Sequence, residues 1–383
     1  MMSEKTRLLL VLDFIGRNFP SALYTVQQWA NYASRSYSYE TVIGATTSGA
    51  RGSVLNKKGR LSVRDALQEM KEYCQQCGFA LWDREVDQAA QRILQEAGVS
   101  ATPLYSDFNY GSIVNKGLLL ASVMSCDYLV RVDPGTRPPP CDFDFVVSKH
   151  IGFIQQQRKS GKNPVVSRGY EGRIAVRDIF ALPSKVWQHH DLVEQFTGVN
   201  VHAQVTGGAL FTSAVPGIPA IPFCAAGEVL TLVWASDDGL YQLMEDTEGS
   251  RRLFGVDIPR FDAVGKPKTT FEYYRGLAGM VFLSALMRGF AREEAEKTVS
   301  DFITQLTLLL DEWKCQQNDE EEFQREYGRP LDWPRDFSPQ LVAPDDFLDR
   351  IEEGWRNYGP LKAGWPDIVA ELKPRLASCV TLD

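Results

Sequence analysis

The chain is 383 residues long, 44% hydrophobic and 23% charged, enough for two domains or for one large α/β domain with additions. Its formal net charge of −8 is unevenly placed: residues 311–353 carry 14 acids and five bases, leaving the remainder close to neutral. Neither part offers the basic stripe of a generic nucleic-acid binder. The longest stretch without Asp, Glu, Lys or Arg, residues 196–227, is interrupted by Pro216, Pro219 and Pro222 and reads as buried strand and loop rather than a transmembrane segment. The apolar run at the N-terminus is too short for a signal peptide. With seven cysteines and no secretion signal, reduced thiols and a cytoplasmic location are expected.

Leu8 to Leu12 is a continuous aliphatic run that suits a strand buried on both faces, ending in Asp13-Phe14-Ile15-Gly16-Arg17-Asn18. After Ser21, the residues Leu23, Val26, Trp29, Ala30 and Ala33 recur at helical spacing. Tyr39 to Ala45 predicts the next strand, with Thr46-Thr47-Ser48-Gly49 as the loop at its end. A capping box at Ser62 and Asp65 opens a helix that stops at Gly78, and Asp83 opens another that stops at Gly98. Val99 to Leu104 is expected as a short strand, Tyr105 to Gly111 as loop, and Ser112 to Ser125 as an apolar helix. That helix leads to the strand Tyr128–Val132, which delivers Asp133 into a Pro-Gly breaker and a proline cluster. Strand and helix alternate through the first 135 residues, the pattern of a parallel sheet covered by helices. In such a sheet, ligand-binding groups stand at the carboxyl ends of strands, where Asp133 lies.

Two phosphate-loop motifs fail. The first strand is followed by Gly16-Arg17-Asn18-Phe19 rather than Gly-x-Gly-x-x-Gly, and no Gly-x-x-x-x-Gly-Lys-Ser/Thr occurs. A phosphate-bearing ligand would need positive charge from elsewhere, and a divalent cation on Asp133 is the natural source. Cys74 and Cys77, without a second ligand pair, read as ordinary helix cysteines. Adjacent His189 and His190 point in different directions and do not suit a shared metal; His202 is the better candidate for completing a cation site.

Asn109-Tyr110-Gly111, Asn115-Lys116-Gly117 and Asp127 to Asp133, in that order, resemble a block of the GT-A nucleotide-sugar glycosyltransferases of the family-2-like type. Asp133-Pro134-Gly135 is similar to that family's metal-binding Asp-x-Asp motif, with Gly135 in place of the second acid. Thr206-Gly207-Gly208-Ala209-Leu210-Phe211 resembles the glycine-containing strand beside the acceptor, and Ser236-Asp237-Asp238-Gly239-Leu240 the acidic pair at a helix start that supplies a catalytic base. The resemblance covers roughly residues 7–275. It implies an α/β fold, a mostly parallel Rossmann-like (GT-A type) sheet flanked by helices, with a C-terminal helical appendage. It implies residues 1–270 as the nucleotide-sugar-binding and catalytic domain and 271–383 as a helical, acidic region.

The implied activity is transfer of a sugar from a UDP- or GDP-sugar to a small-molecule, peptide or glycan acceptor, assisted by Mn²⁺ or Mg²⁺ and inverting. Asp237 is the favoured base, with Asp238 beside it; Asp133 and His202 are the metal candidates. Asp13, Phe14, Thr46, Asp107, Asn109, Asn115, Lys116, Arg137, Gly207 and Gly208 are the donor-binding candidates. Asp237 and Asp238 are equally an N-cap before Tyr241 and Leu243. Two alternatives share the fold: a sugar-1-phosphate nucleotidyltransferase, against which the missing glycines after the first strand count, and a non-catalytic nucleotide-sugar-binding protein. Beyond 270, helices are expected over Phe271–Phe290 and Glu293–Trp313, then an acidic tail with Trp333, Trp355 and Trp365 among prolines that shapes the acceptor site or makes a homo-oligomer contact.

Overall fold

The computed structural model describes residues 5–15, 19–48, 53–56, 59–100, 110–133, 136–168, 192–198, 210–217, 219–221, 241–243, 270–314 and 343–380. Seven of its strands form one sheet: β1 (Arg7–Ile15), β2 (Glu40–Ser48), β5 (Ala80–Trp82), β6 (Tyr128–Val132), β7 (Val165–Arg168), β8 (Leu210–Ala214) and β9 (Tyr241–Leu243). A separate antiparallel pair, β3 (Ser53–Asn56) and β4 (Gly59–Ser62), follows β2. The strand order is β5-β2-β1-β6-β8-β7-β9. Neighbours β5, β2, β1 and β6 pair in parallel, β8 runs antiparallel to β6 and to β7, and β9 is parallel to β7.

From β1 the chain moves to one side, to β2 and then β5, before crossing to β6 on the other side of β1. The carboxyl ends of β1 and β6 therefore border the point where the connection reverses, which is where open α/β sheets form a ligand crevice.

Each face of the sheet has its own core, because successive side chains of a strand point to opposite sides. Leu8, Leu10, Leu12, Tyr128, Val130 and Val132 pack under α1 (Phe19–Ala33) and α5 (Phe143–Arg158). Leu9, Val11, Leu129 and Trp82 pack on the other face with α3 (Arg84–Glu96), α4 (Tyr110–Val123), α6 (Thr270–Met287), α7 (Arg292–Lys314) and α8 (Asp345–Val380). α2 (Val63–Cys77) lies beside β2 and β5, with Cys74 buried and Cys77 exposed. The α3 ends follow the sequence reading: Asp83 caps Glu85 and Val86, and Gly98 takes a positive φ after the last turn.

Several expectations change. Thr46 and Thr47 are not loop: the β1–β2 ladder continues through Asp13–Thr46 to Ile15–Ser48, and both threonines are buried strand residues. Val99 and Ser100 form no strand, and the rest of the segment expected as one lies outside the described residues. Tyr241 and Leu243, expected in a helix opened by Asp237 and Asp238, instead pair with Val165 and Ser167 in β9. β5, the β3–β4 pair, α5 and β7 have no counterpart in the sequence reading.

The expected C-terminal helical appendage is present, and residues 345–380 form one helix of 36 residues despite Pro360, Pro366 and Pro374. An interior proline removes a backbone hydrogen bond and costs roughly 3 kcal/mol. All three prolines are exposed, so the carbonyls they leave open face water, while Leu348, Ile351, Tyr358, Leu361, Trp365, Ile368, Leu372 and Leu376 form the buried stripe opposite. That stripe packs against α3, α4 and α6, and the Trp365 indole donates to the Pro216 carbonyl at 3.2 Å. The C-terminal helices thus share one continuous core with the sheet. No helix among the described residues is long and apolar enough to cross a membrane.

On the opposite face, Asp144 at the start of α5 fastens the turn between α1 and β2. Its carboxylate accepts from the Ser36 hydroxyl at 2.5 Å and from the Ser38 and Tyr37 amides at 2.9 and 3.2 Å. Burial alone would raise this carboxyl, but the bonds from Ser36, Ser38 and Tyr37 together hold it below the ordinary 3.8. A depressed native value stabilises the fold above the unfolded value and is lost as pH falls through the native one. Asp144→Asn should therefore cost about 1–2 kcal/mol at neutral pH, with the gap to wild type closing in acid. Urea titrations at several pH values test this; a gap independent of pH would refute it.

Candidate functional site

The carboxyl edge of the sheet combines a buried polar layer with one more accessible carboxylate. Asp13, in β1, is 3% exposed. Its Oδ1 accepts from the Thr46 hydroxyl at 2.6 Å, and its Oδ2 is paired with the Arg131 guanidinium from β6. Arg131 also lies over the Phe211 ring, 5.4 Å from its centroid. An Arg in the middle of the buried run Tyr128–Val132 requires such a partner, since an isolated charge is very costly to bury. Asp13 and Arg131 point to the same face because each belongs to the odd-numbered set of its strand, like Leu9, Val11 and Leu129.

A second buried pair lies behind this one. Lys116 on α4 donates to Asp87 Oδ2 at 2.7 Å, and the Trp82 indole at the end of β5 donates to Asp87 Oδ1 at 2.6 Å. Burial raises the Asp87 carboxyl, and the Lys116 charge and both hydrogen bonds oppose that rise. Next to Lys116, the Asn115 amide donates to the Ala220 carbonyl at 3.0 Å and accepts from the Ala220 amide at 2.6 Å. Asn115 and Lys116, expected beside the donor, thus have their side chains engaged inside the protein, where α4 is buried between the sheet and α8.

Asp133 is the half-buried carboxylate of this edge. It follows the last β1–β6 register pair, Leu12 with Val132, so Asp13 and Asp133 are the next residues on neighbouring strands. The chain beyond it is fastened to α1: the Thr136 hydroxyl donates to the Asp133 carbonyl at 2.8 Å and accepts from the Trp29 indole at 3.2 Å. Further along, the Tyr32 hydroxyl donates to the Cys141 carbonyl at 2.6 Å. Arg137 is exposed. The edge therefore holds Asp13, Thr46, Asp133 and Arg137 on three adjacent strands and the loop after the third. Phe14 follows Asp13 in β1. Asp107, Asn109, His202, Gly207, Gly208, Asp237 and Asp238 lie outside the described residues.

The donor chemistry of this edge suits a hard divalent cation. Asp13 is paired with Arg131, Asp133 stands half-buried beside it, and Mg²⁺ commonly takes one or two carboxylates plus phosphate and water. Among the described residues no cluster of three or more His, Cys, Asp or Glu side chains forms a full protein cage. Sequence reasoning missed Arg131, Asp87, Trp82, Thr136 and Trp29. For Arg131 and Asp87 a signal was present, a charge on an otherwise apolar strand and an acid beside the apolar stripe of a helix.

No protein-family model matches the chain. No curated protein sequence matches it. Among solved structures it is similar to glucosyl-3-phosphoglycerate synthase from Mycobacterium tuberculosis in complex with Mn²⁺, UDP and phosphoglyceric acid, at 12% identity over 63% of this chain and 68% of that one, with a TM-score of 0.37. It is also similar to S. aureus TarS 1–349, at 10% identity over 94% of this chain and 92% of that one, with a TM-score of 0.39. The same TarS segment in complex with UDP-GlcNAc gives 9% identity, 94% and 92% coverage and a TM-score of 0.37. These overlaps are too loose to carry a residue from one chain to another.

Proposed function

We propose that the chain is a glycosyltransferase that moves a sugar from a UDP- or GDP-sugar to a small-molecule, peptide or glycan acceptor, with inversion. The observation that supports this reading is the position of Asp133: a half-buried carboxylate at the carboxyl end of β6, beside the reversal of the sheet's connections. Such a crevice accommodates a nucleotide, and a carboxylate at its edge suits a cation shared with a diphosphate.

In this reading Asp133 holds Mn²⁺ or Mg²⁺, with His202 as the second protein ligand. When bound, the ion neutralises the diphosphate and favours its departure. Arg137 adds positive charge on the phosphate side. Asp13, fixed by Thr46 and Arg131, forms the floor at the end of β1, and Phe14, Asp107 and Asn109 are assigned to the donor. Gly207 and Gly208 allow the backbone to approach the sugar. Asp237, with Asp238 beside it, takes the proton of the attacking acceptor hydroxyl, which requires hydrogen-bond reach between them. Asn115 and Lys116 act from within, by holding the wall that α4 forms. Residues 1–270 carry the donor and the chemistry, and 271–383 shape the acceptor side or a contact between copies.

A panel of nucleotide sugars with Mn²⁺ or Mg²⁺ tests the reading. Asp133→Ala should abolish metal-dependent donor binding, and unchanged affinity in the presence of metal would remove Asp133 from the role. Asp237→Asn should slow transfer and leave donor binding intact. Pyrophosphate exchange in place of sugar transfer would instead identify a nucleotidyltransferase, and binding without turnover a non-catalytic protein.

A further inference from the structure

The amino-terminal edge of the sheet, opposite the crevice at Asp133, holds a separate cleft of about 870 Å³. It opens between the start of β1, the C-terminal ends of α4 and α5, and the last third of α8. Its volume lies within the range of small-molecule sites.

Four cationic side chains line it: Lys5 and Arg7 at the start of β1, Arg158 in the last turn of α5 and Lys373 on α8. Two carboxylates oppose them. Glu40 pairs with Arg7 at 3.1 Å, and Asp127 accepts from the Arg7 backbone amide at 2.8 Å. Among the described residues Lys5, Arg158 and Lys373 form no ion pair, and all three are exposed. The ends of α4 and α5 add about half a negative charge each. Four cations against two acids and two helix ends leave the cleft positive, on a chain whose formal charge is −8.

Hydrogen-bond donors accompany the charge. Gln155 and Ser125, whose side chains carry donors, are among the residues lining the same cleft. Ser125 is also the one residue other than glycine with a positive φ among the described residues, at 54°. It terminates α4, with the Cys126 amide bonded to the Ala121 carbonyl at 2.9 Å, a position glycine usually fills.

We propose that this cleft is a second binding site, for a small molecule carrying two or more phosphate groups. Lys5 and Arg7 from the start of β1, Arg158 from α5 and Lys373 from α8 line one space, and Arg and Lys together are the usual partners of phosphate oxygens. A ligand there would join the C-terminal helix to the start of the sheet. It needs no divalent cation, unlike the donor proposed at Asp133, so the two sites separate in one experiment.

Titrating the full chain calorimetrically with inorganic pyrophosphate, in EDTA and at low ionic strength, should show saturable binding. The double substitution Arg158→Glu/Lys373→Glu should weaken it by about tenfold or more, and Arg158→Gln alone by a smaller factor. Asp133→Ala should leave it unchanged. Pyrophosphate should also raise the thermal midpoint of the wild type and not that of the double variant. No binding by the wild type, equal binding by the double variant, or loss of binding in Asp133→Ala would each overturn the proposal.

Discussion

Replacing Lys116 with methionine should lower the free energy of unfolding by roughly 3–5 kcal/mol. Lys116 is 1% exposed and its partner Asp87 2% exposed, with 2.7 Å between Nζ and Oδ2. Methionine fills much of the same volume, so the loss comes from stranding a buried carboxylate rather than from a cavity. Among the described residues Asp87 would keep only the Trp82 indole as a donor. Burial already raises this carboxyl and Lys116 is the leading opposing influence, so its removal raises the native value further. A carboxyl raised in the native state is destabilising above its pKa and loses that penalty as pH falls. The variant should therefore recover part of its deficit in mild acid. Asp87→Asn/Lys116→Met should be more stable than Lys116→Met alone, because the amide oxygen still accepts from Trp82 and carries no charge. Denaturant titrations of the three chains settle this. A loss under about 1 kcal/mol would show that the pair is not the buried, unreplaced contact described, and would return Lys116 to a phosphate-facing role.

Where periodicity and punctuation agree, the elements are legible in the sequence. Asp83 and Gly98 frame α3, Gly78 ends α2, and the aliphatic run from Leu8 lies inside β1. The errors have physical causes. Thr46 and Thr47 look like loop residues, yet threonine is β-branched and the ladder to β1 carries them as strand. β5 has three residues, too few for a periodic signal. α5 was legible in principle, since Phe143, Val146, Val147, His150, Ile151 and Ile154 share one buried face. The sequence marks the C-terminal region as helical but not the unbroken length of its last helix, because prolines normally mark breaks. Only the position of each proline on the solvent face explains how the helix passes through.

At the candidate site, Asp133 was legible because a strand end followed by Pro-Gly is a local pattern. The commitments of Lys116, Asn115 and Asp13 were not, because each depends on a partner distant in the chain. Asn115 bonds to Ala220, Lys116 to Asp87, and Asp13 to Arg131. A lysine or asparagine near a nucleotide motif reads as a ligand contact until the fold shows which way it turns.

Arg131→Met should likewise cost roughly 3–5 kcal/mol, and its consequences reach the site itself. Asp13 would retain the Thr46 hydroxyl at 2.6 Å and lose its only cationic partner among the described residues. The contact of Arg131 with the Phe211 ring, worth about 1 kcal/mol, would go as well. Asp13 and Asp133 follow the Leu12–Val132 pair on adjacent strands, and Arg131 compensates the first of these two neighbouring acids. If Asp133 holds a divalent cation, that ion in the variant would compensate Asp13 too. Mn²⁺ should then raise the stability of Arg131→Met more than that of the wild type, and Asp13→Asn/Arg131→Met should remove the difference. Unfolding of the three chains with and without Mn²⁺ measures both effects. A small loss in Arg131→Met would mean that water already solvates Asp13. A full loss with no extra rescue by Mn²⁺ would keep the buried pair and separate it from the proposed metal site.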